Sequence, residues 1–205
     1  MNKNLIIVDI ETSSLCRLTS QMVNIGAVHL DSGEEFFIEC LPNMAEYNGY
    51  NPESGKINGV TKEAFLARVD ERSGRYVSQE YSVTRLEEFC LDKAEKPYLC
   101  GANFSGFDAM ILHRTKYGNF DMSWPLGHRF LDIGSLGFSV FGEAMGMVKL
   151  CEKLEIAPED VIHTGIGGAR KEAECVKALL SILKKQKDAD ITQNIRSGNF
   201  EAVNE

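Results

Sequence analysis

Leu5-Ile6-Ile7-Val8-Asp9-Ile10-Glu11-Thr12-Ser13-Ser14 is the stretch from which the fold can be read. Five of its first six residues are apolar and mostly β-branched, the composition of a strand buried on both faces. The run ends in two acids one residue apart. Side chains alternate along a strand, so Asp9 and Glu11 project to the same side and can converge on one point. Two carboxylates that close repel unless a cation lies between them, and oxygen-only donors suit a hard divalent ion such as Mg²⁺ or Mn²⁺. The plainer alternative is an acidic strand end opening a solvated turn. A metal site needs further carboxylates from elsewhere in the chain.

Outward from this strand, residues 16–21 form a polar turn. Residues 22–30 and 35–41 read as two strands joined by the hairpin signal Asp31-Ser32-Gly33-Glu34. The first three strands therefore form an antiparallel meander. Residues 42–59 hold two prolines, four asparagines and three glycines, which predicts a long loop outside the core. Thr61 caps a short helix to about Val69, and residues 70–79 are charged and turn-like. Thr84-x-x-Glu87 has the pattern of a capping box opening a helix through Leu86, Phe89, Cys90 and Ala94. Residues 97–102 form a short buried strand, 107–117 a helix and 129–133 a last strand. A helix through Met147, Leu150, Cys151 and Leu154 stops near Pro158. Ala169, Ala173, Val176, Leu180 and Leu183 mark the clearest amphipathic helix, with Lys184, Lys185 and Lys187 at its end. Residues 188–205 read as a loose polar tail. Three strands followed by alternating helix and strand make an α/β protein, a mixed sheet with helices on both faces.

Composition narrows the function. The 205 residues suit one domain with a sizeable core, and no apolar run is long enough to span a bilayer or serve as a signal peptide. This predicts a soluble cytoplasmic protein with no membrane partner. Six scattered cysteines without a C-x-x-C pair predict reduced thiols rather than a zinc site. A formal net charge of -8 argues against extended wrapping of duplex nucleic acid, which relies on many Lys and Arg contacts to phosphate. It leaves room for a short single strand, because bound metal ions can supply positive charge where a phosphate sits.

Two further segments carry chemistry. Gly101-Ala102-Asn103-Phe104-Ser105-Gly106-Phe107-Asp108 follows a buried strand and opens a helix. Asp108 there either complements the helix dipole or completes a site begun by Asp9 and Glu11. His163-Thr164-Gly165-Ile166-Gly167-Gly168-Ala169-Arg170 precedes the last helix. Its histidine is either a surface capping residue or, beside a metal site, a general base able to take a proton from water.

Taken in order, Asp9-Ile10-Glu11-Thr12, Asn103-x-x-Gly106-Phe107-Asp108 and His163 with Ala169-Arg170 resemble the three motifs of the DEDD 3′-to-5′ exonuclease superfamily in its histidine form. Ile57-Asn58-Gly59-Val60-Thr61 and Leu131-Asp132-Ile133 also resemble segments of that family, and the likeness covers roughly residues 4–185. It implies a ribonuclease H-like fold, an exonuclease domain over residues 1–187, and a tail over 188–205. Implied catalytic residues are Asp9, Glu11, Asp108 and His163. Asp9, Glu11 and Asp108 would hold two Mg²⁺ or Mn²⁺ ions, and Thr12, Ser13, Leu15 and Phe104 would meet the terminal nucleotide. Implied partners are single-stranded DNA or RNA 3′ ends and short oligonucleotides; a homodimer is compatible with the resemblance. The sequence departs from the family at Gly168, where the third motif carries an aspartate ligand. Glu172, one turn on, faces the same way but stands about 6 Å along the axis. The departure leaves two readings: an exonuclease impaired at one ligand, through natural or introduced change, and an inactive nucleic-acid-binding or interaction module. A nucleotide phosphatase ranks behind both, since no glycine-rich cradle of the P-loop kind is present.

Overall fold

A computed structural model describes residues 4–118, 124–158 and 160–197, with side chains as far as residue 189. The strands are β1 (Leu5–Thr12), β2 (Met22–His29), β3 (Glu35–Cys40), β4 (Tyr76–Val77), β5 (Tyr98–Gly101) and β6 (Phe130–Asp132). They form one sheet in the order β4-β3-β2-β1-β5-β6. The pairs β1/β2 and β2/β3 are antiparallel, while β1/β5, β5/β6 and β3/β4 are parallel. The meander followed by parallel strands is the expected α/β arrangement, and it is the ribonuclease H-like fold.

Alternation along β1 assigns its two faces. Ile6, Val8 and Ile10 pack with Val83, Leu86 and Cys90 of α3 (Gln79–Lys93) and with Ile111 and Leu112 of α4 (Asp108–Tyr117). Leu5 and Ile7 pack on the other face against three further helices, α5 (Ile133–Phe141), α6 (Met147–Leu154) and α7 (Gly165–Ser197). Asp9 and Glu11 continue this second series. The core therefore delivers both acids to the α7 side of the sheet.

The start of α7 lies directly on the strands. Gly26, the β2 partner of Asp9, would with a Cβ come within 2.1 Å of the Gly165 carbonyl carbon. A Cβ on Gly165 would lie 2.6 Å from Gly26 N and 2.7 Å from Asp9 O. Helix and sheet backbones touch here, which only glycine allows. The helix start is held by Gly165 N–H donating to Asn24 Oδ1 (2.7 Å) and Gly167 N–H donating to Thr164 Oγ1 (3.0 Å).

Several local expectations need correction. The stretch 42–59 is not all loop, because α1 (Pro52–Asn58) forms within it. Asn51 caps the helix, Pro52 opens it, and Gly59 ends it in the left-handed region at φ 70°. The residues that suggested a loop are the punctuation of a short helix. The next helix, α2 (Lys62–Ala67), is capped by Thr61 as expected and runs into a 3₁₀ turn at Arg68–Asp70. Helix α3 starts earlier than the supposed capping box, with Ser78 accepting from Tyr81 N. Thr84 then sits inside α3 and donates to Glu80 O (3.1 Å). Glu87, instead of capping, is buried and accepts from Tyr117 Oη (2.8 Å) and Trp124 Nε1 (2.9 Å). Within the turn-like stretch 70–79, β4 is a two-residue edge strand. The sequence reading missed α5, which is apolar around most of its circumference and contains Gly134 and Gly137. Asp132 Oδ1 caps it by accepting from Ser135 N (3.0 Å).

Helix α7 continues to Ser197, past the expected tail boundary at 188, and leaves the three lysines within its length; residues 198–205 lie outside the described residues. No glycine or proline occurs between 188 and 197, so elongation from a packed helix meets no breaker. No helix among the described residues is long and apolar enough to cross a membrane.

Gly26→Ala should destabilise the protein by about 3 kcal/mol, since backbone faces backbone and no side chain can yield. Gly146→Ala, where a Cβ meets nothing within 4 Å, should cost less than about 1 kcal/mol. Urea denaturation of the two variants checks the contrast.

Candidate active site

The C-terminal ends of parallel strands β1 and β5 open into a cavity of about 450 Å³. Asp9 and Glu11 enter it from β1, Asp108 from the first turn of α4, and His163, Gly168 and Glu172 from the segment running into α7. Leu15, Phe107, Met147 and Val148 give it an apolar side. Three segments far apart in sequence thus contribute to one cavity.

Asp108 is fixed by the turn that follows β5. Asn103 adopts the left-handed region at φ 55°, a 3₁₀ turn runs over Phe104–Gly106, and α4 starts at Asp108. Its Oδ1 accepts from Ile10 N–H across 3.2 Å, which ties the acid to β1 between Asp9 and Glu11. Burial pushes its carboxyl well above the usual carboxylate range, and the charge of Asp9 pushes it the same way, with Glu11 adding less. Backbone N–H groups of Asp108 and Ile10 oppose the shift without cancelling it. The acids are held together against their mutual repulsion.

Helix α1 brackets the cavity from outside. Asn58, which is buried, donates through Nδ2 to Thr12 O (3.3 Å) at the end of β1, and its Oδ1 accepts from Val60 N (3.0 Å). Asn51 N–H donates to Ser13 O (2.8 Å), and His163 N–H donates to Ile57 O (2.9 Å). Ile162 covers the Cβ-free side of Gly59, where a methyl would come within 2.7 Å of its Cγ2. The same short helix therefore holds the strand end that follows Glu11 and the loop that presents His163. Sequence reading missed Asn51 and Asn58 as site-shaping residues; the signal was Asn-Pro followed by Asn-Gly seven residues on, a cap and a C-terminal stop.

The expected nucleotide contacts divide. Leu15 lines the cavity and is 77% exposed. Thr12 and Ser13 are buried, and their hydroxyls are used locally: Thr12 Oγ1 donates to Ser14 O (2.8 Å), while Ser13 Oγ accepts from Gln21 N–H (3.0 Å). They shape the turn. Phe104 is fully buried and packs edge-on against Phe130 with ring centroids 5.3 Å apart, so it belongs to the core. Phe107 lines the cavity in its place, because the left-handed Asn103 turns Phe104 inward and the end of the 3₁₀ turn leaves Phe107 outside.

Position 168 is occupied by the movable end of the Asp9 side chain. A Cβ on Gly168 would lie 2.1 Å from Asp9 Oδ2 and 2.8 Å from its Cγ. The glycine contacts at Gly26 and Gly165 draw the helix close enough for the Asp9 carboxylate to occupy that space. Glu172 lines the same cavity, and its Oε1 accepts from Ala102 N–H (3.0 Å), which ties α7 to the end of β5. Donor type fits a hard divalent cation: Asp9, Glu11 and Asp108 offer oxygen only, and a cation would relieve the like charge that raises Asp108. Among the described residues, no group of three or more acidic, histidine or cysteine side chains is already drawn together as a metal cage.

No family model and no curated protein sequence matches the chain. Solved structures do match it. Escherichia coli exonuclease I in complex with a dT13 oligonucleotide aligns with a TM-score of 0.67 at 16% identity, over 90% of this chain and 42% of that one. The zinc-bound form of the E. coli enzyme with single-stranded DNA gives 0.69 at 17% identity, over 92% and 42%. A moderately thermophilic exonuclease I from Methylocaldum szegediense gives 0.66 at 18% identity, over 86% and 40%. The chain spans less than half the length of each. At these identities the likeness is one of fold.

Asp108 has a direct consequence for stability. Its folded pKa lies above its unfolded value, so its favourable contribution is complete below about pH 4 and is lost as pH rises through the folded pKa. Asp108→Asn keeps an acceptor for Ile10 N–H and cannot ionise. In the metal-free protein the variant should match wild type near pH 4 and become increasingly more stable than it toward neutrality. Denaturation midpoints across that range in EDTA measure the divergence.

Proposed function

We propose that this chain is a metal-dependent 3′-to-5′ exonuclease, removing nucleoside 5′-monophosphates from single-stranded DNA or RNA ends. The observation that carries the reading is that Asp9, Glu11, Asp108 and His163 line one cavity at the carboxyl ends of β1 and β5, in a fold shared with exonuclease I. The proposed catalytic unit is residues 1–187.

Asp9, Glu11 and Asp108 would hold Mg²⁺ or Mn²⁺. The bound ion would lower the pKa of a water nucleophile and offset charge on the scissile phosphate. The His163 imidazole accepts the proton of the attacking water, and α1 fixes its distance from the acids through the Ile57 carbonyl. Asp108, buried at the helix start and bonded to Ile10 N–H, keeps the carboxylates in fixed relation. Leu15, Phe107 and Val148 provide apolar surface for the terminal base and sugar and displace water from around the phosphate. The two-ion arrangement implied by the family resemblance takes a carboxylate at 168, which Gly168 does not supply. An ion held on that side would lack one ligand, and turnover would be slow. The missing ligand also favours a second reading, a module on this fold that binds single strands without cutting them.

The experiment incubates 5′-labelled single-stranded DNA and RNA oligonucleotides with Mn²⁺ and the wild type, Asp9→Asn or Gly168→Asp. Wild type should shorten the strand stepwise from its 3′ end, and Asp9→Asn should lower the rate by about two orders of magnitude. Gly168→Asp should raise it, because the Asp9 carboxylate is the movable end of a side chain and can turn aside to admit a further oxygen ligand. Binding without shortening by the wild type would leave the binding module as the function. A large gain in Gly168→Asp would restore the two-ion arrangement.

A further inference from the structure

A phosphodiester entering the cavity meets four carboxylates, those of Asp9, Glu11, Asp108 and Glu172. Among the described residues only one lysine or arginine lines the same space, Lys171. It stands on α7 three residues after Gly168, so the two positions are neighbours on one face of the helix, and position 168 touches the Asp9 carboxylate. A cation at 171 is thus carried beside the acids by helical geometry alone.

The present partner of Lys171 is easily exchanged. Its Nζ lies 2.8 Å from Glu174 Oε2, an (i,i+3) pair in which the glutamate side chain is 55% exposed and the lysine 18%. Such a pair is weak and screened by salt, because water competes for the exposed carboxylate. A flexible stem with a point charge suits an anionic oxygen whose position varies along a strand.

We propose that Lys171 is the phosphate-binding side chain of this cavity, its ammonium leaving Glu174 for an anionic oxygen of the single strand. The contact rests on the reading of the cavity as a nucleic-acid site. It supplies the fixed positive charge that the acids lack and that a bound divalent ion provides only in part. Lys171 thereby sets the preference for a phosphate-bearing strand over a neutral ligand of similar size.

The test measures binding of a short 5′-fluorescein oligothymidylate by fluorescence anisotropy, in Ca²⁺ and in EDTA, over a series of salt concentrations. The proteins are wild type, Lys171→Met, Lys171→Arg and Glu174→Gln, each checked for an unchanged melting temperature. Lys171→Met keeps most of the stem and should weaken binding about tenfold while reducing the salt slope by about one phosphate contact. Lys171→Arg should restore most of the affinity, and Glu174→Gln, which frees the ammonium, should tighten binding about twofold. Wild-type affinity and salt slope in Lys171→Met overturn the assignment while leaving the nucleic-acid reading intact. If the wild type binds no strand under either condition, the nucleic-acid reading itself fails, and this contact with it.

Discussion

Backbone contact between helix α7 and the β1/β2 pair governs the arrangement of the site. Gly26 and Gly165 have no side chain between them, and Asn24 accepts from the first N–H of the helix. The helix axis is thereby set by peptide groups, which have fewer ways to yield than side chains. His163 and Thr164 precede the contact and Gly168 follows it, so their heights above Asp9 are set together. The apolar series Ala169, Ala173 and Val176 then closes the same face of the sheet. One close approach fixes the distance from the proposed base to the acids and also crowds position 168.

The second constraint is electrostatic. The fold gathers carboxylates on one side of β1 and compensates them unevenly. Glu172 is engaged by Ala102 N–H, and Asp108 by Ile10 N–H. Neither donor carries a full charge, and Asp108 remains shifted upward by burial and by Asp9. A cavity built this way disfavours a bare phosphodiester unless positive charge accompanies it. That is why Lys171 at its edge and the apolar side formed by Leu15, Phe107 and Val148 bear on which ligand can enter.

Legibility in the sequence followed the range of the forces involved. The first strand, its alternation, the hairpin at residues 31–34 and the long amphipathic helix are local patterns, and each appears near its expected position. Helix α1 was misread because Asn, Pro and Gly signal both loops and helix ends; its Asn58 carboxamide is satisfied by Thr12, forty-six residues away. Helix α5 is not legible because an apolar segment with two glycines offers little periodic contrast; its packing in the core layer shared with α6 and α7 decides its fate. The placement of Phe104 in the core is not legible locally, because a single left-handed residue, Asn103, sets which ring turns inward.

By itself, the sequence determined that Asp9 and Glu11 share one face of a buried strand, that Asp108 opens a helix and that His163 precedes another. Each of these follows from backbone periodicity within a few residues. Only the tertiary structure decided that the three segments meet in one cavity, that Gly168 is pressed against Asp9, that Glu172 is held by Ala102, and that Lys171 stands at the edge. Those facts depend on how closely α7 approaches the sheet, a distance set by contacts between residues more than a hundred positions apart. Local propensity carries no record of such a distance; packing does.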